Sequence, residues 1–150
     1  LLNLQGQAIG VNVAIVQGSQ NIGFALPIND VKRVVESVRT TGKISRAFLG
    51  VRYVIITKDL QKKSQLPVDY GALVVRGETQ TDLAVVPGSP ADKAGIVEND
   101  IILEVNGKKL SESYPLAIAV RGFGTGYKAQ IKLLHKGEEK VVTVTFVEKQ

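Results

Sequence analysis

The chain has 150 residues, 22% of them charged and 44% hydrophobic, with a formal net charge of +5 and no cysteine. The missing cysteines exclude disulfides, thiolate metal sites and a cysteine nucleophile. The sequence offers neither an apolar run of the ~18 residues a membrane helix needs nor a basic stretch leading into an apolar signal-peptide core. A positive balance suits anionic partners, but the cations fall in short pairs such as Lys62-Lys63 and Lys108-Lys109, interleaved with acids and poor in aromatic neighbours. That pattern reads as solvated surface, and no nucleic-acid partner is expected.

The first stretch, LLNLQGQAIGVNVAI, starts on two leucines inside an alternating apolar and polar pattern. A domain normally begins with a polar end that frays, so a part preceding Leu1 is expected. Residues 1–28 read as strand, polar loop (Gln17–Asn21) and strand, with Leu4-Gln5-Gly6-Gln7 as a turn inside the first run. In PINDVKRVVESVRTTGKI, Val31, Val34, Val35 and Val38 recur at i, i+3, i+4 and i+7. This spacing predicts an amphipathic helix over about 30–41, with Asn29 as N-cap, Asp30 in the first turn and Gly42 as the stop. A hairpin and one helix bury too little apolar surface to stand alone, so residues 1–44 read as the tail of a larger domain. The unpaired strand edges predict self-association through residues 1–28.

From Arg46 onward the pattern changes to short strands punctuated by Gly and Pro. FLGVRYVIIT predicts a strand, KDLQKKSQL a short helical or irregular insertion ended by Pro67, YGALVV a second strand, RGETQTD a polar loop and LAVV a third strand. GSPADKAG is a helix signature, with Ser89 as N-cap, Pro90 at N1 and Gly95 as the stop. DIILEVNGKKL predicts two strands around Asn106-Gly107, SESYPLAIAVRGF a helix, and YKAQIKLLHKGEEKVVTVTFVEK a closing hairpin turned at Lys136-Gly137-Glu138. Residues 45–150 are long enough for a compact domain with its own core, and the fold class of the whole is mainly β with two or three helices.

Few residues suggest chemistry. The lone His135 lies beside the last hairpin turn with no acid or serine motif in register, and reads as a solvated strand end. The glycines of Gly122-Phe123-Gly124-Thr125-Gly126 follow a helix and precede a strand, whereas a phosphate loop needs a strand before it and a helix N-terminus after it. No carboxylate pair or metal-ligand cluster stands out, so no cofactor and no metal are expected. A binding geometry does stand out. In Phe48-Leu49-Gly50-Val51 a glycine between apolar residues lets successive N–H groups converge on a carboxylate, or else marks a bulge. The strand that follows, Val51 to Ile56, could accept an extended peptide by edge addition.

Phe48-Leu49-Gly50-Val51, GSPADKAGI, NDIILEVNGKKL and the helix ending before Gly126 together resemble a PDZ domain of the bacterial, circularly permuted type. The upstream LLNLQGQAIGVNVAI and NIGFALPINDVKRVVESV resemble the stretch that follows the catalytic serine in HtrA/Deg-family serine proteases. The order, protease tail and then PDZ, covers the whole chain. The resemblance implies a PDZ-type small β-barrel or sandwich over 45–150. Before it stands a hairpin-plus-helix remnant of a chymotrypsin-like barrel over 1–44.

It further implies that Phe48, Leu49, Gly50 and Val51 form the carboxylate-binding loop, with Arg46 as a charged helper or an exposed linker residue. Leu116, Val120 and Phe123, at i, i+4 and i+7, would lie along one face of the groove helix, a spacing that equally suits core packing. Asn12, Val13 and Ala14 match the strand that pairs with substrate backbone, and Ile22, Gly23 and Phe24 a wall of the primary specificity pocket. The family's Gly-Asp before the Ile-Ile strand is Asn99-Asp100 here, and Asn also tolerates positive φ. Lys58 to Asp82 exceeds a minimal PDZ loop and is long enough to cover the groove or carry a partner contact.

The resemblance places the nucleophile just upstream of Leu1 and no catalytic residue within the chain, which should bind peptides and cleave nothing alone. The expected function is that of the C-terminal part of an HtrA-like serine endoprotease in protein quality control, recognising peptides or unfolded proteins with apolar C-termini. Its location would be periplasmic, membrane-tethered or secreted. The alternatives are a non-catalytic PDZ scaffold, and a PDZ appended to another protease class, against which NIGFALPIND argues.

Overall fold

The structure is a computed structural model that describes residues 1–15, 23–44, 46–79, 81–121 and 123–148. The polar loop expected at 17–21, Ile22 and Gly122 lie outside the described residues. The chain divides into two units, Leu1–Ser45 and Arg46–Gln150.

In the first unit the turn around Gly6 (φ +73°) is tied by the Asn3 side chain, whose Oδ1 accepts from the Gln5 and Gln7 N–H groups at 3.0 and 2.9 Å. Strand β1 (Gly10–Ile15) pairs antiparallel with β2 (Gly23–Pro27), with a bulge between Asn12 and Ala14. Helix α1 (Ile28–Thr41) begins ahead of the expected start, with Pro27 rather than Asn29 at the N-cap. The cause is the ladder. Pro27 still pairs with Gly10, and the Ile28 N–H continues the pairing to the Ile9 carbonyl at 3.0 Å, so the chain turns from strand into helix without a polar cap. Gly42 (φ +74°) stops the helix in the left-handed conformation, its N–H bonded to the Val38 carbonyl. Val34, Val35 and Val38 are exposed on this helix.

The second unit is built on a sheet in the order β4-β5-β6-β8-β9, from β4 (Tyr53–Ile55), β5 (Ala72–Val74), β6 (Ile101–Val105), β8 (Lys128–His135) and β9 (Glu138–Thr145). Strand β7 (Lys108–Lys109) pairs with β6, and β3 (Ala47–Phe48) pairs with β10 (Val147–Glu148) apart from the main sheet. The Asn106-Gly107 and Lys136-Gly137 turns form as expected, all four residues at positive φ. Helix α2 (Lys58–Ser64) is capped by Thr57, whose side chain accepts from the Leu60 N–H. Helix α3 (Pro90–Lys93) is capped by Ser89, and α4 is Leu116–Arg121. The fold is mainly β, with four helices among the described residues.

Period-two alternation sends side chains to two faces. One face carries the main core, including Leu49, Val74, Ile102, Leu116, Ile131 and Phe146. The other carries Ile56, Ile101 and Leu103, covered by Leu66, Val68 and Tyr70. The insertion after Lys58 therefore caps the second face, because its apolar residues have a core of their own there. LAVV is not a strand; it contributes a single bridge, Val85 to Val51.

Candidate peptide-binding site

FLGVRYVIIT breaks into β3 and β4 because Gly50 turns the backbone between them, at φ +87°. A Cβ there would stand 2.2 Å from Ser89 Cβ and 2.4 Å from Ser89 Oγ, so only glycine lets the loop rest on α3. The Leu49 carbonyl accepts from the Ala91 N–H, and the Gly50 carbonyl from the Val86 N–H, both at 2.9 Å. The Ser89 hydroxyl adds a longer contact to the Gly50 carbonyl at 3.4 Å. In a trans peptide the N–H points opposite to the preceding carbonyl, and the chain has no cis bonds. Pinning these two carbonyls therefore turns the Gly50 and Val51 N–H groups to the other side.

Among the described residues, none accepts a hydrogen bond from the N–H of Leu49, Gly50 or Val51. The Gly50 and Val51 N–H groups, turned away from the fold, are free to donate to a carboxylate oxygen set against them, which gives the loop an anion-receiving character. Arg46 lies exposed just before β3.

Strand β4 forms one edge of the sheet. Its bonds to β5 and the Val85 segment use alternate residues: the Arg52 N–H reaches the Ala84 carbonyl, the Val75 N–H the Arg52 carbonyl, and the Ile56 N–H the Gly71 carbonyl. The N–H and C=O groups of Val51, Tyr53 and Ile55 thus face the open edge. The side chains of the same three residues pack against the main core, while Val54 is exposed on the other face. Arg52 pairs with Asp82 at 2.5 Å. The Thr79 hydroxyl first, and Arg52 after it, hold the Asp82 carboxyl below the usual carboxylate range.

Helix α4 stands on the main-core side of the sheet. The structure brings Leu49, Leu116 and Val120 into one core cluster with Val51 and Phe123 against it. Leu116 and Val120 are 2% and 9% exposed, so core packing governs both. Phe123 does not continue their helical stripe, because α4 ends at Arg121; its ring stacks on Tyr127 and Phe146, at 4.7 and 5.4 Å between centroids. Phe48 sits opposite Val147 in the β3–β10 pair. In the first unit, Ala14 lies opposite Phe24 and Asn12 opposite Ala25, with Val13 in the bulge and Gly23 opposite Ile15.

Sequence reasoning missed two residues and misjudged a third. Tyr53 Oη accepts from the Ala117 N–H at 2.9 Å, joining β4 to α4; its place in the 51, 53, 55 alternation is the signal that could have shown it. Ser89 was legible as a cap but not as the wall that requires Gly50. His135 is no solvated strand end. Its Nδ1 lies 2.8 Å from Asp100 Oδ1, and Asp100, 1% exposed, also accepts from the Val97 N–H at 2.9 Å. Asn99 does adopt the positive φ expected of it, +71°.

A glycine-turned loop with outward N–H groups, an open strand edge beside it and a helix across from that edge define a chain carrying a PDZ domain. The PDZ domain family matches residues 81–118. The chain is 40% identical over 148 residues to a DegP-like periplasmic serine endoprotease of Chlamydia trachomatis, covering 97% of this chain and 28% of the relative. It is 36% identical to the periplasmic pH-dependent serine endoprotease DegQ of Escherichia coli, over 97% of this chain and 31% of DegQ. Among solved structures it resembles the HtrA-type protease AlgW with decapeptide, at 28% identity and a TM-score of 0.73, over 97% of this chain and 43% of AlgW. In sequence and fold the chain is similar to these HtrA/Deg-type serine proteases, and it spans less than a third of the length of the two curated relatives.

Proposed function

We propose that residues 45–150 form a PDZ domain that receives the free C-terminus of a peptide. The carboxylate is held by the Leu49–Val51 N–H groups, the peptide backbone adds to the open edge of β4, and the last side chain rests on Leu49, Val51 and Val120. The observation that carries this reading is the pair of carbonyls, Leu49 and Gly50, fixed to Ala91 and Val86 so that the next N–H groups face away from the fold. Phe48 supports the loop from β3, Arg46 adds charge near the carboxylate, and Leu116 and Phe123 hold α4 and the segment after it against the core. The test is a binding titration with a peptide ending in a free apolar residue, beside the same peptide amidated at its C-terminus. Binding near the micromolar range, about −8 kcal/mol, that vanishes on amidation is the expected result; equal affinity for both would overturn it.

In the same reading the chain serves an HtrA-like serine endoprotease that acts on unfolded proteins outside the cytoplasm, in protein quality control. Peptide bonds there are cut by serine acyl transfer, and this PDZ domain presents substrate or regulates the cut. Residues 1–44 are the end of the protease barrel, with Asn12–Ala14 pairing with substrate and Gly23 and Phe24, with Ile22 beside them, walling the primary specificity pocket. Support comes from the names of the relatives and from the order of the two units. Residues 1–28 also self-associate in this reading, since Val13 and Phe24 are 55% and 58% exposed on a two-stranded sheet. Sedimentation of the chain checks this: a concentration-dependent dimer or larger assembly is expected, and a strict monomer would contradict it.

A further inference from the structure

We infer that Tyr53 sets the selectivity of this groove at the third residue from the ligand's C-terminus, through a hydrogen bond that straps β4 to α4. The inference rests on the peptide-binding reading and adds to it a particular residue and a particular ligand position. Tyr53 Oη accepts from the Ala117 N–H at 2.9 Å, across 64 positions of sequence. Ala117 lies in the first turn of α4, where N–H groups lack partners within the helix. The phenol oxygen therefore caps that turn from across the groove, and it is not displaced without loss.

The ligand's register follows from the edge. Val51, Tyr53 and Ile55 present their backbone groups outward, so an antiparallel strand pairs with them through every second residue. With the carboxylate on the Gly50 and Val51 N–H groups, the last ligand residue lies opposite Val51 and the third from the end opposite Tyr53. Directly opposed residues hold their side chains on one face with Cβ atoms ~4.5–5.5 Å apart. Since Val51, Tyr53 and Ile55 all direct their side chains to the main-core side, the third-from-last ligand side chain enters the space that the Tyr53 phenol spans. A small side chain passes beneath the strap; a branched or aromatic one has to break it.

The test uses the whole chain and peptides alike in their free, apolar last residue, with Ala or Leu third from the end, and an amidated form of the Ala peptide. The Ala peptide is expected to bind at least about tenfold more tightly than the Leu peptide, a difference of ~1.4 kcal/mol. Tyr53→Phe should narrow that ratio below about threefold, with amidation still abolishing binding. Carboxylate-dependent binding with no preference for Ala, or a preference unchanged in Tyr53→Phe, overturns the strap and leaves the carboxylate site standing. Indifference to amidation overturns the carboxylate site and the register with it. Hydrogen exchange in the unaltered chain gives a second readout. The Ala117 amide should stay protected with the Ala peptide and exchange faster with saturating Leu peptide; protection unchanged by the Leu peptide refutes the inference.

Discussion

Replacing Gly50 by Ala puts the loop geometry to a quantitative test. At φ +87° an L side chain is disfavoured by about 1–2 kcal/mol. The added Cβ would also stand 2.2 Å from Ser89 Cβ, a distance that forces the loop or α3 to move. Movement loosens the Ala91-to-Leu49 and Val86-to-Gly50 hydrogen bonds, each worth about 1 kcal/mol net. Allowing for partial relaxation, Gly50→Ala should lower stability by about 3 kcal/mol, read from urea unfolding with an unchanged slope. Peptide affinity should fall more than about tenfold, because the N–H groups lose their aim. Adding Ser89→Gly removes the clash at a capping cost of only a few tenths of a kcal/mol, and should recover about half of the lost stability while the φ strain remains. A Gly50→Ala protein within about 0.5 kcal/mol of the parent, binding peptide normally, would refute the claim that Ser89 and the glycine together shape the loop.

Asp100→Ala should cost about 2–3 kcal/mol, since it leaves the Val97 N–H and His135 Nδ1 without their buried partner; the unfolding midpoint reads this directly, and His135→Ala should couple to it in a double-mutant cycle. Asn99→Gly should be nearly neutral, whereas Asn99→Val, forced into φ +71°, should destabilise by about 1–2 kcal/mol. Glu98 is held below its ordinary range by the hydrogen bond from Arg76 and by that group's charge, and Asp82 by Thr79 and then Arg52. A lowered folded value means that both contributions are present above the ordinary carboxylate range and fade as pH falls through the folded values. Both carboxylates are open to solvent in part, so unfolding midpoints followed into acid should show a modest loss that high salt reduces; a gain in stability on acidification would contradict the sign.

Where a feature is written into neighbouring residues, the sequence made it legible. Ser89-Pro90 begins α3, Gly42 ends α1, and Asn106-Gly107 and Lys136-Gly137 turn their hairpins, because each depends on a local φ or a missing N–H. The features that make the site depend on distant residues. Gly50 breaks a run that reads as one strand because it rests on Ser89, 39 positions away. Tyr53 meets Ala117 across 64 positions, and His135 meets Asp100 across 35. Apolar spacing placed Leu116 and Val120 on one helix face but could not show that α4 stops at Arg121 and leaves Phe123 to an aromatic stack. The Asn29 cap was displaced by a strand ladder running on to Pro27, a tertiary effect that outweighs a local preference.

Carboxylate capture by the Leu49–Val51 loop is tested by amide NMR of the whole chain during titration with a peptide ending in a free apolar residue. The Leu49, Gly50 and Val51 amide protons should move downfield together, as N–H groups do on gaining a carboxylate acceptor, and the amidated peptide should leave them in place. Saturable binding with these three amides unmoved, and the shifts gathered elsewhere on the surface, would contradict it.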